Sequence, residues 1–246
     1  MRILLLFLTR ENICDTLKKE YGSIAPGRRK SVKNKLLIIG DSYSTFKGMI
    51  PEGYAAYYSE DGVLPDVPVT KMHLEDTWWI KFINATGIEL VLNNSWSGST
   101  VCYSGREGDC SRTSSYIFRY RQLKENGFFK ENDIDTVIVF GGTNDSWIDS
   151  PLGELKFDGI EENELYSVLP AISHLMGTIK EDLPNARILF IANSDIKEVI
   201  ISAIKTSGEH YGVDTIALHD VHKESGHPTP EGMTDICDQV LGWWNK

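Results

Sequence analysis

The sequence has few cysteines and no long apolar segment, and each absence excludes a class of protein. Four of the 246 residues are cysteine, and no two of them form a Cys-x-x-Cys pair. A structural zinc site or a thioredoxin-type redox centre is therefore not expected. The apolar run at residues 3–8 is too short to cross a bilayer, and no other segment approaches a membrane span.

Basic residues are outnumbered by acidic ones. Lys and Arg total 25 against 35 Asp and Glu, which gives a formal net charge of −10. Such a surface repels phosphate backbones, so no nucleic-acid partner is expected. The one tight basic cluster, at residues 28–35, precedes the first clear strand and is interpreted as a solvated linker. Hydrophobic residues make up 41%, as in ordinary globular proteins.

The first 33 residues are kept apart from the fold prediction. Their apolar run is shorter than that of a secretory signal, and no small-x-small cleavage site follows it. We treat residues 1–33 as a leader or appendage of unknown role and residues 34–246 as one domain. We expect a soluble protein, either cytoplasmic or exported, and the sequence does not fix its oligomeric state.

Cys102 and Cys110 flank a Gly-rich loop. The sequence is compatible both with a disulfide between them in an oxidising compartment and with two free thiols.

Five short apolar runs alternate with helical patterns from residue 34 onwards. Continuous apolar runs are typical of strands buried on both faces, and the alternation predicts a three-layer α/β/α sandwich around a parallel sheet. The predicted strands are residues 36–39, 89–92, 136–140, 187–191 and 213–218. The predicted helices are residues 77–86, 161–183, 195–206 and 230–244, with a kink or break at Pro170. Residues 43–76 lack periodicity, and a loop of that length is usually functional.

Four polar or glycine positions follow the predicted strands or lie in the last loop. Ser42 follows the first strand, Gly98 the second and Asn144 the third, and His227 lies beyond the fifth. The carboxyl ends of parallel strands share one edge, so these residues are expected to lie together. A serine, a glycine turn, an amide and an imidazole are the groups that acyl transfer needs.

These positions resemble the SGNH (GDSL-type) hydrolase family. The matching motifs, in the family's order, are Gly-Asp-Ser ending at Ser42, Gly98, Gly-Thr-Asn-Asp containing Asn144, and His227. The resemblance implies a flavodoxin-like five-stranded parallel sheet and hydrolysis of small esters, without a cofactor. It implies Ser42 as nucleophile, His227 as base, and the Ser42 and Gly98 backbone N–H groups with the Asn144 amide as the oxyanion hole. A side chain at position 98 would crowd the substrate.

The sequence departs from the family at the acid that orients the histidine. The family pattern is Asp-x-x-His, whereas Glu224 stands three residues before His227. Glu224 is the first choice as orienting acid, because its longer side chain could still accept from Nδ1. Asp220 is one alternative. The other is a Ser–His dyad whose imidazole is oriented by a backbone carbonyl.

Aromatic and histidine residues near these motifs complete the prediction. Trp96 and Trp147 follow the second and third strands and are predicted to form a substrate wall, although loop packing would also explain them. His219, His222 and His227 are not spaced for one helix face, so no metal site is expected. We predict a serine esterase acting on a small or carbohydrate-linked acyl ester. The alternative is a non-catalytic carbohydrate-binding descendant; a flavodoxin-like nucleotide binder is disfavoured because no phosphate loop is present.

Overall fold

The computed structural model describes residues 34–246, and its strands and helices alternate along the chain. The strands are β1 (Lys35–Gly40), β2 (Glu89–Ser95), β3 (Ser104–Gly105), β4 (Gly108–Asp109), β5 (Thr136–Gly141), β6 (Arg187–Ala192), β7 (Asp214–Ala217), β8 (Lys223–Glu224) and β9 (His227–Pro228). The α-helices are α1 (Trp78–Thr86), α2 (Tyr116–Glu125), α3 (Phe128–Glu131), α4 (Thr143–Trp147), α5 (Val168–Asp182), α6 (Glu198–Tyr211) and α7 (Pro230–Trp244). The predicted appendage, residues 1–33, lies outside the described residues.

Five of these strands form a parallel sheet in the order β2-β1-β5-β6-β7. In β5 every residue is buried, as its continuous apolar sequence predicts. Each of the five predicted strands is present, and the strand order is that of flavodoxin-like folds. The predicted fold class is therefore confirmed.

Helices cover both faces of the sheet and create two cores. On one face α2, α5 and α6 pack their apolar residues against the sheet, with Tyr116, Ile172 and Ile200 completely buried. On the other face α1 and α7 do so, with Trp78, Trp79 and Ile236 completely buried. The arrangement is a three-layer α/β/α sandwich. Within residues 34–246, none of the helices has the length and apolar character needed to cross a membrane.

The longer helices differ from the prediction in three places. The predicted helix 161–183 is a 3₁₀ turn (Glu162–Tyr166) followed by α5, so the chain breaks at Ser167 and Pro170 occupies the first helical turn. A proline is tolerated there because its missing N–H has no partner in the helix. Helix α6 extends to Tyr211, beyond the predicted end. Helix α2 was not predicted, since it buries Arg119 and its apolar pattern is weak.

The long segment between β1 and α1 packs on the core formed with α1 and α7. It contains short 3₁₀ turns at Ser42–Ser44, Pro68–Thr70 and Leu74–Asp76. Tyr57 and Tyr58 are buried within this segment. The Lys47 N–H donates to the Tyr58 carbonyl at 2.9 Å, which closes the segment back on itself. The two tyrosines therefore belong to the packed interior beside β1.

Cys102 and Cys110 are free thiols in this structure. The Cys110 thiol contacts the Tyr103 carbonyl at 3.1 Å, and burial raises the pKa of both thiols. Of the two possibilities that the sequence left open, the structure contains the reduced form.

Candidate active site

The site lies where the strand order reverses. From β1 the chain goes to β2 on one side of the sheet and later to β5 on the other, so the carboxyl ends of β1 and β5 are adjacent. Parallel α/β sheets bind ligands at such a switch point. Ser42 follows β1 and Asn144 follows β5, and both side chains are buried. The fold therefore brings these two predicted site residues to one edge.

A tight turn presents Ser42 at the end of β1. Asp41 caps the 3₁₀ turn, and its Oδ1 accepts a hydrogen bond from the Tyr43 N–H at 3.1 Å. Gly40 is required by close packing, because a Cβ there would lie 2.8 Å from Oγ of both Ser44 and Ser95. Burial raises the pKa of Asp41 to about 7. Asp41 therefore supports the turn and is partly neutral near pH 7.

A two-stranded hairpin carries His227 to the nucleophile. Strands β8 and β9 pair antiparallel, and Ser225 and Gly226 between them both have positive φ, 50° and 77°. Two such residues are typical of a two-residue type I′ turn. The Tyr43 hydroxyl donates to the Gly226 carbonyl at 2.6 Å, and the Tyr58 hydroxyl donates to the Pro228 carbonyl at 3.0 Å. The hairpin is therefore bonded directly to the segment that contains Ser42.

The imidazole of His227 lies between the serine hydroxyl and a backbone carbonyl. Its Nε2 is 2.9 Å from Ser42 Oγ, and its Nδ1 is 3.3 Å from the Ser225 carbonyl oxygen. A carbonyl only accepts, so Nδ1 carries the proton in the neutral ring, and Nε2 is left to accept from the serine hydroxyl. This is the tautomer that a general base needs toward Ser42.

Burial keeps this imidazole neutral. It lowers the pKa of His227 to about 4, an effect that the Ser225 hydrogen bond opposes and the charge of Lys223 reinforces. A neutral imidazole can take a proton, whereas an imidazolium cannot. Nε2 is therefore available as a base throughout the neutral range and down to about pH 4.

The expected contact between Glu224 and His227 is not present, and this corrects the first-choice orienting acid. Glu224 pairs with His227 across the hairpin but its side chain is exposed and forms no hydrogen bond with the imidazole. Asp220 is 96% exposed and contacts His219 at 3.0 Å. The geometry is that of the dyad alternative, with the Ser225 carbonyl as the orienting group.

The three predicted oxyanion donors follow the carboxyl ends of β1, β2 and β5. Within residues 34–246 the Ser42 and Gly98 N–H groups donate no backbone hydrogen bond. Asn144 Nδ2 donates to the Ser99 carbonyl at 3.0 Å, which uses one of its two protons and leaves the other. Gly98 has φ +81°, and a Cβ there would meet no protein atom within 4 Å. The backbone conformation thus supplies a reason for glycine that the sequence analysis did not include.

Two buried charged residues hold the loop that contains Gly98. The Asp145 carboxylate accepts from the Val101 N–H at 2.9 Å and the Cys102 N–H at 3.1 Å, as expected for a structural aspartate. The Arg119 guanidinium, 1% exposed, donates to the Gly40 carbonyl and to Ser99 Oγ, each at 3.1 Å. Arg119 also donates to Asn94 Oδ1 in β2 at 2.8 Å. These contacts join the ends of β1 and β2 to the loop that contains Gly98.

Aromatic side chains enclose the imidazole and border the site. Tyr57 stacks on His227 with ring centroids 3.6 Å apart and planes 10° apart. Trp147, 40% exposed, meets the imidazole edge to face at 5.4 Å. Trp96 packs on Tyr54 with ring centroids 4.3 Å apart and planes tilted by 32°, and it is partly exposed. Both tryptophans of the predicted substrate wall are therefore at the surface, with Trp147 in direct contact with His227.

Two residues of the site were missed by the sequence analysis. Ser225 acts through its backbone, which no side-chain motif reveals. Arg119 lies on a helix with a weak apolar pattern. Tyr57 is one of the aromatic residues that the sequence clusters near the site, but the sequence did not indicate its contact with His227.

Within residues 34–246, no group of three or more His, Cys, Asp or Glu side chains is arranged to hold a metal ion. His222, one of the three histidines considered above, instead pairs through Nδ1 with Asp235 at 2.7 Å.

Comparison with known proteins finds relatives of one family. The sequence model of the family described as GDSL-like lipase/acylhydrolase matches residues 34–243. A protein described as a GDSL-like lipase from Bacteroides ovatus is 35% identical, with a TM-score of 0.78 over 87% of this chain and 99% of that one. A second, from Bacteroides uniformis, is 38% identical, with a TM-score of 0.75 over 87% and 96%.

A more distant structure shares the fold alone. An acetyl xylan esterase from Butyrivibrio proteoclasticus is 18% identical, with a TM-score of 0.55 over 89% of this chain and 65% of that one. No curated protein matches the chain.

Fold and family together define an enzyme that hydrolyses ester bonds. The chain belongs to the GDSL-like lipase/acylhydrolase family.

Proposed function

We propose that this protein is a serine esterase in which Ser42 is the nucleophile and His227 the general base, without an acidic third member. The observation that carries the proposal is the 2.9 Å contact from His227 Nε2 to Ser42 Oγ, with Nδ1 directed at the Ser225 carbonyl. A serine hydroxyl is a weak nucleophile until a base within hydrogen-bond distance takes its proton.

In the first half-reaction Ser42 Oγ attacks the acyl carbon of the ester while its proton moves to His227 Nε2. The carbonyl oxygen becomes an oxyanion, which the Ser42 and Gly98 N–H groups and the free Asn144 proton would stabilise. As the tetrahedral intermediate collapses, the imidazolium gives its proton to the departing alcohol oxygen. The products are the alcohol and an acyl ester on Ser42.

The second half-reaction repeats these roles with water. His227 takes a proton from the water, whose oxygen attacks the acyl-enzyme carbonyl through a second tetrahedral intermediate. Collapse returns the proton to Ser42 Oγ and releases the carboxylic acid. In each step the Ser225 carbonyl dipole, rather than a carboxylate, stabilises the imidazolium. His227 therefore binds its proton weakly, in agreement with its lowered pKa.

The proposed substrate is a small or carbohydrate-linked acyl ester. Trp147 lies exposed beside His227, and Trp96 with Tyr54 borders the Gly98 loop. These aromatic side chains are flat and amphipathic, which suits them to contact a sugar ring or a short acyl chain. The net charge of −10 favours a neutral substrate over an anionic one. The likeness of fold to an acetyl xylan esterase adds carbohydrate acetates to the esters worth testing.

The test is a screen of acetylated sugars and p-nitrophenyl esters of increasing chain length with the wild type and Ser42→Ala. We expect hydrolysis of short or sugar-linked esters and loss of nearly all activity in Ser42→Ala. Ser111→Ala, on the loop after β4, is the matched control and should keep the wild-type rate.

The outcomes separate the proposal from its alternative. A wild type that binds oligosaccharide but hydrolyses no ester would indicate the non-catalytic carbohydrate-binding descendant. A Ser42→Ala variant that keeps most of the rate would mean that the reaction proceeds through another residue.

A further inference from the structure

The segment that contains Tyr57 and Tyr58 makes contacts to His227 that the proposed reaction does not use. The Tyr57 ring lies parallel to the imidazole, with planes 10° apart and centroids at 3.6 Å. The neighbouring Tyr58 packs edge to face on Tyr57 at 4.9 Å and donates its hydroxyl proton to the carbonyl of Pro228, the residue after His227. Two consecutive residues therefore hold the histidine. Tyr57 contacts the face of its ring, and Tyr58 bonds the backbone of the next residue.

The Tyr57 backbone is tied to the nucleophile. The Tyr57 N–H donates to Thr45 Oγ1 at 2.9 Å, and the Thr45 hydroxyl donates to the Ser42 carbonyl at 3.0 Å. A continuous set of contacts thus runs from Ser42 through Thr45 and Tyr57 to the His227 ring, and returns to Ser42 through the contact between Nε2 and Oγ. On its other side the segment is anchored by the Ser97 N–H, which donates to the Ala55 carbonyl at 2.8 Å.

The single hydrogen bond at Nδ1 cannot by itself fix the imidazole. A bond of 3.3 Å to one carbonyl oxygen constrains the direction of Nδ1, but it leaves the ring free to tilt about that contact. A carboxylate partner would normally limit this freedom, and Glu224 does not supply it. The stacked face of Tyr57 blocks tilting of the ring plane, which keeps Nε2 aimed at Ser42 Oγ.

We propose that Tyr57 is a positioning residue that takes the place of the orienting acid by holding the His227 ring against its planar face. The inference rests on the proposed Ser42–His227 reaction and concerns the ring face rather than the phenol hydroxyl. Within residues 34–246 the Tyr57 hydroxyl has no hydrogen-bond partner, so phenylalanine would keep every contact that the proposal uses.

The same ring excludes water from the imidazole. The groups that face His227 are Ser42 and Tyr43 from the nucleophile turn, Tyr57 from the long segment, Trp147 from α4, and Lys223 and Glu224 from its own hairpin. Burial is the main cause of the low pKa of His227, about 4. Removing the Tyr57 ring would admit water, so the pKa of His227 should rise toward its ordinary value of 6.5.

The experiment measures kcat and KM against pH for the wild type, Tyr57→Phe, Tyr57→Leu and Tyr57→Ala. We expect Tyr57→Phe to remain within about threefold of wild type. Tyr57→Ala should lose about 10- to 100-fold in kcat with little change in KM, because a misplaced base costs rate rather than binding. The acid limb of kcat/KM should move upward in Tyr57→Ala and not in Tyr57→Phe.

Further variants keep the test decisive. Tyr211→Ala removes a partly buried tyrosine on α6 that packs on Phe157 and His210, and it should change neither kcat nor the acid limb. If Tyr57→Ala fails to fold, Tyr57→Leu decides, since it stays apolar but lacks a planar face. Wild-type kcat and pH profile in the folded variant would overturn the proposal, as would an equal loss in Tyr57→Phe.

The failure of this inference can be told apart from the failure of the proposed function. If the wild type hydrolyses no ester, or if Ser42→Ala keeps its activity, the proposed reaction is wrong. The His227 pKa measured by NMR in the Ser42→Ala background still tests the stacking contact. A higher pKa after Tyr57→Ala supports the contact, and an unchanged one contradicts it.

Discussion

Nδ1 of His227 contacts a backbone carbonyl and no carboxylate, and this sets the chemistry expected of His227 and Ser42. A buried carboxylate on Nδ1 would favour the imidazolium and raise the histidine pKa. Here the Ser225 carbonyl and the surrounding aromatic rings leave burial as the dominant influence, so the pKa of His227 falls to about 4. The base is weaker than in a triad but remains unprotonated over a wider range of pH.

Replacement of the nearby acids tests the absence of a third member. We expect Glu224→Gln and Asp220→Asn each to keep kcat within about threefold of wild type, because both side chains are exposed and neither contacts the imidazole. His227→Ala should abolish activity in the same assay. A loss of several orders of magnitude in Glu224→Gln, comparable to removing the acid of a serine protease triad, would restore Glu224 as the orienting group.

Asn144 tests the oxyanion hole. Asn144→Ala should lower kcat by about 10²–10³-fold with little change in KM, because the free amide proton meets the oxygen only when it becomes negative. Steady-state kinetics on a p-nitrophenyl ester measure both constants. An effect confined to KM would instead make Asn144 a substrate-binding residue.

Among single residues, the sequence predicted those that directly follow a strand. Ser42 and Asn144 follow buried strands directly, and the fold brings them together. The orienting group could not be predicted, because it depends on the positive φ of Ser225 and on which face of the hairpin Glu224 occupies. Tyr57 is distant from His227 in sequence, and its ring contact is set by the path of an aperiodic segment.

Helix α2 shows how one element supports the site from beneath. Its Arg119 donates to carbonyl groups at the ends of β1 and β2, including those of Gly40 and Asn94, and also bonds Ser99. The Gly40 carbonyl also accepts from the Trp96 N–H at 3.1 Å, so the guanidinium is an additional donor at this strand end. Because a buried charge interrupts the apolar stripe, periodicity did not predict this helix, whereas α1 and α7 were predicted from their apolar patterns.

Arg119→Met should lower the free energy of unfolding by about 3 kcal/mol, because the methionine fills part of the volume but removes the buried charge-assisted hydrogen bonds to Gly40, Asn94 and Ser99. Urea denaturation measures the change. Arg112→Met, at an exposed position on the loop before α2, is the control and should stay within about 0.5 kcal/mol of wild type. Equal stability of the two variants would show that Arg119 does not support the loop.

The whole molecule places the reaction at the point where its sheet changes direction. The strand order β2-β1-β5-β6-β7 makes the ends of β1 and β5 neighbours, and the hairpin before α7 brings His227 over that edge. Alternating apolar runs predicted a parallel sheet with helices on both faces, and the resemblance to the SGNH hydrolase family implied its flavodoxin-like form. The route of residues 45–77 across the core was beyond such patterns.

The central claim is that a neutral, buried His227 activates Ser42 without a carboxylate, and the pH dependence of Ser42 acylation tests it most directly. The measurement is the rate at which a fluorophosphonate probe labels the wild type across the acid range, with the labelled peptide identified by mass spectrometry. The account predicts label on Ser42, at a rate that falls only as the pH drops through about 4. The absence of label on Ser42, or a midpoint at or above the ordinary imidazole value of 6.5, would contradict it.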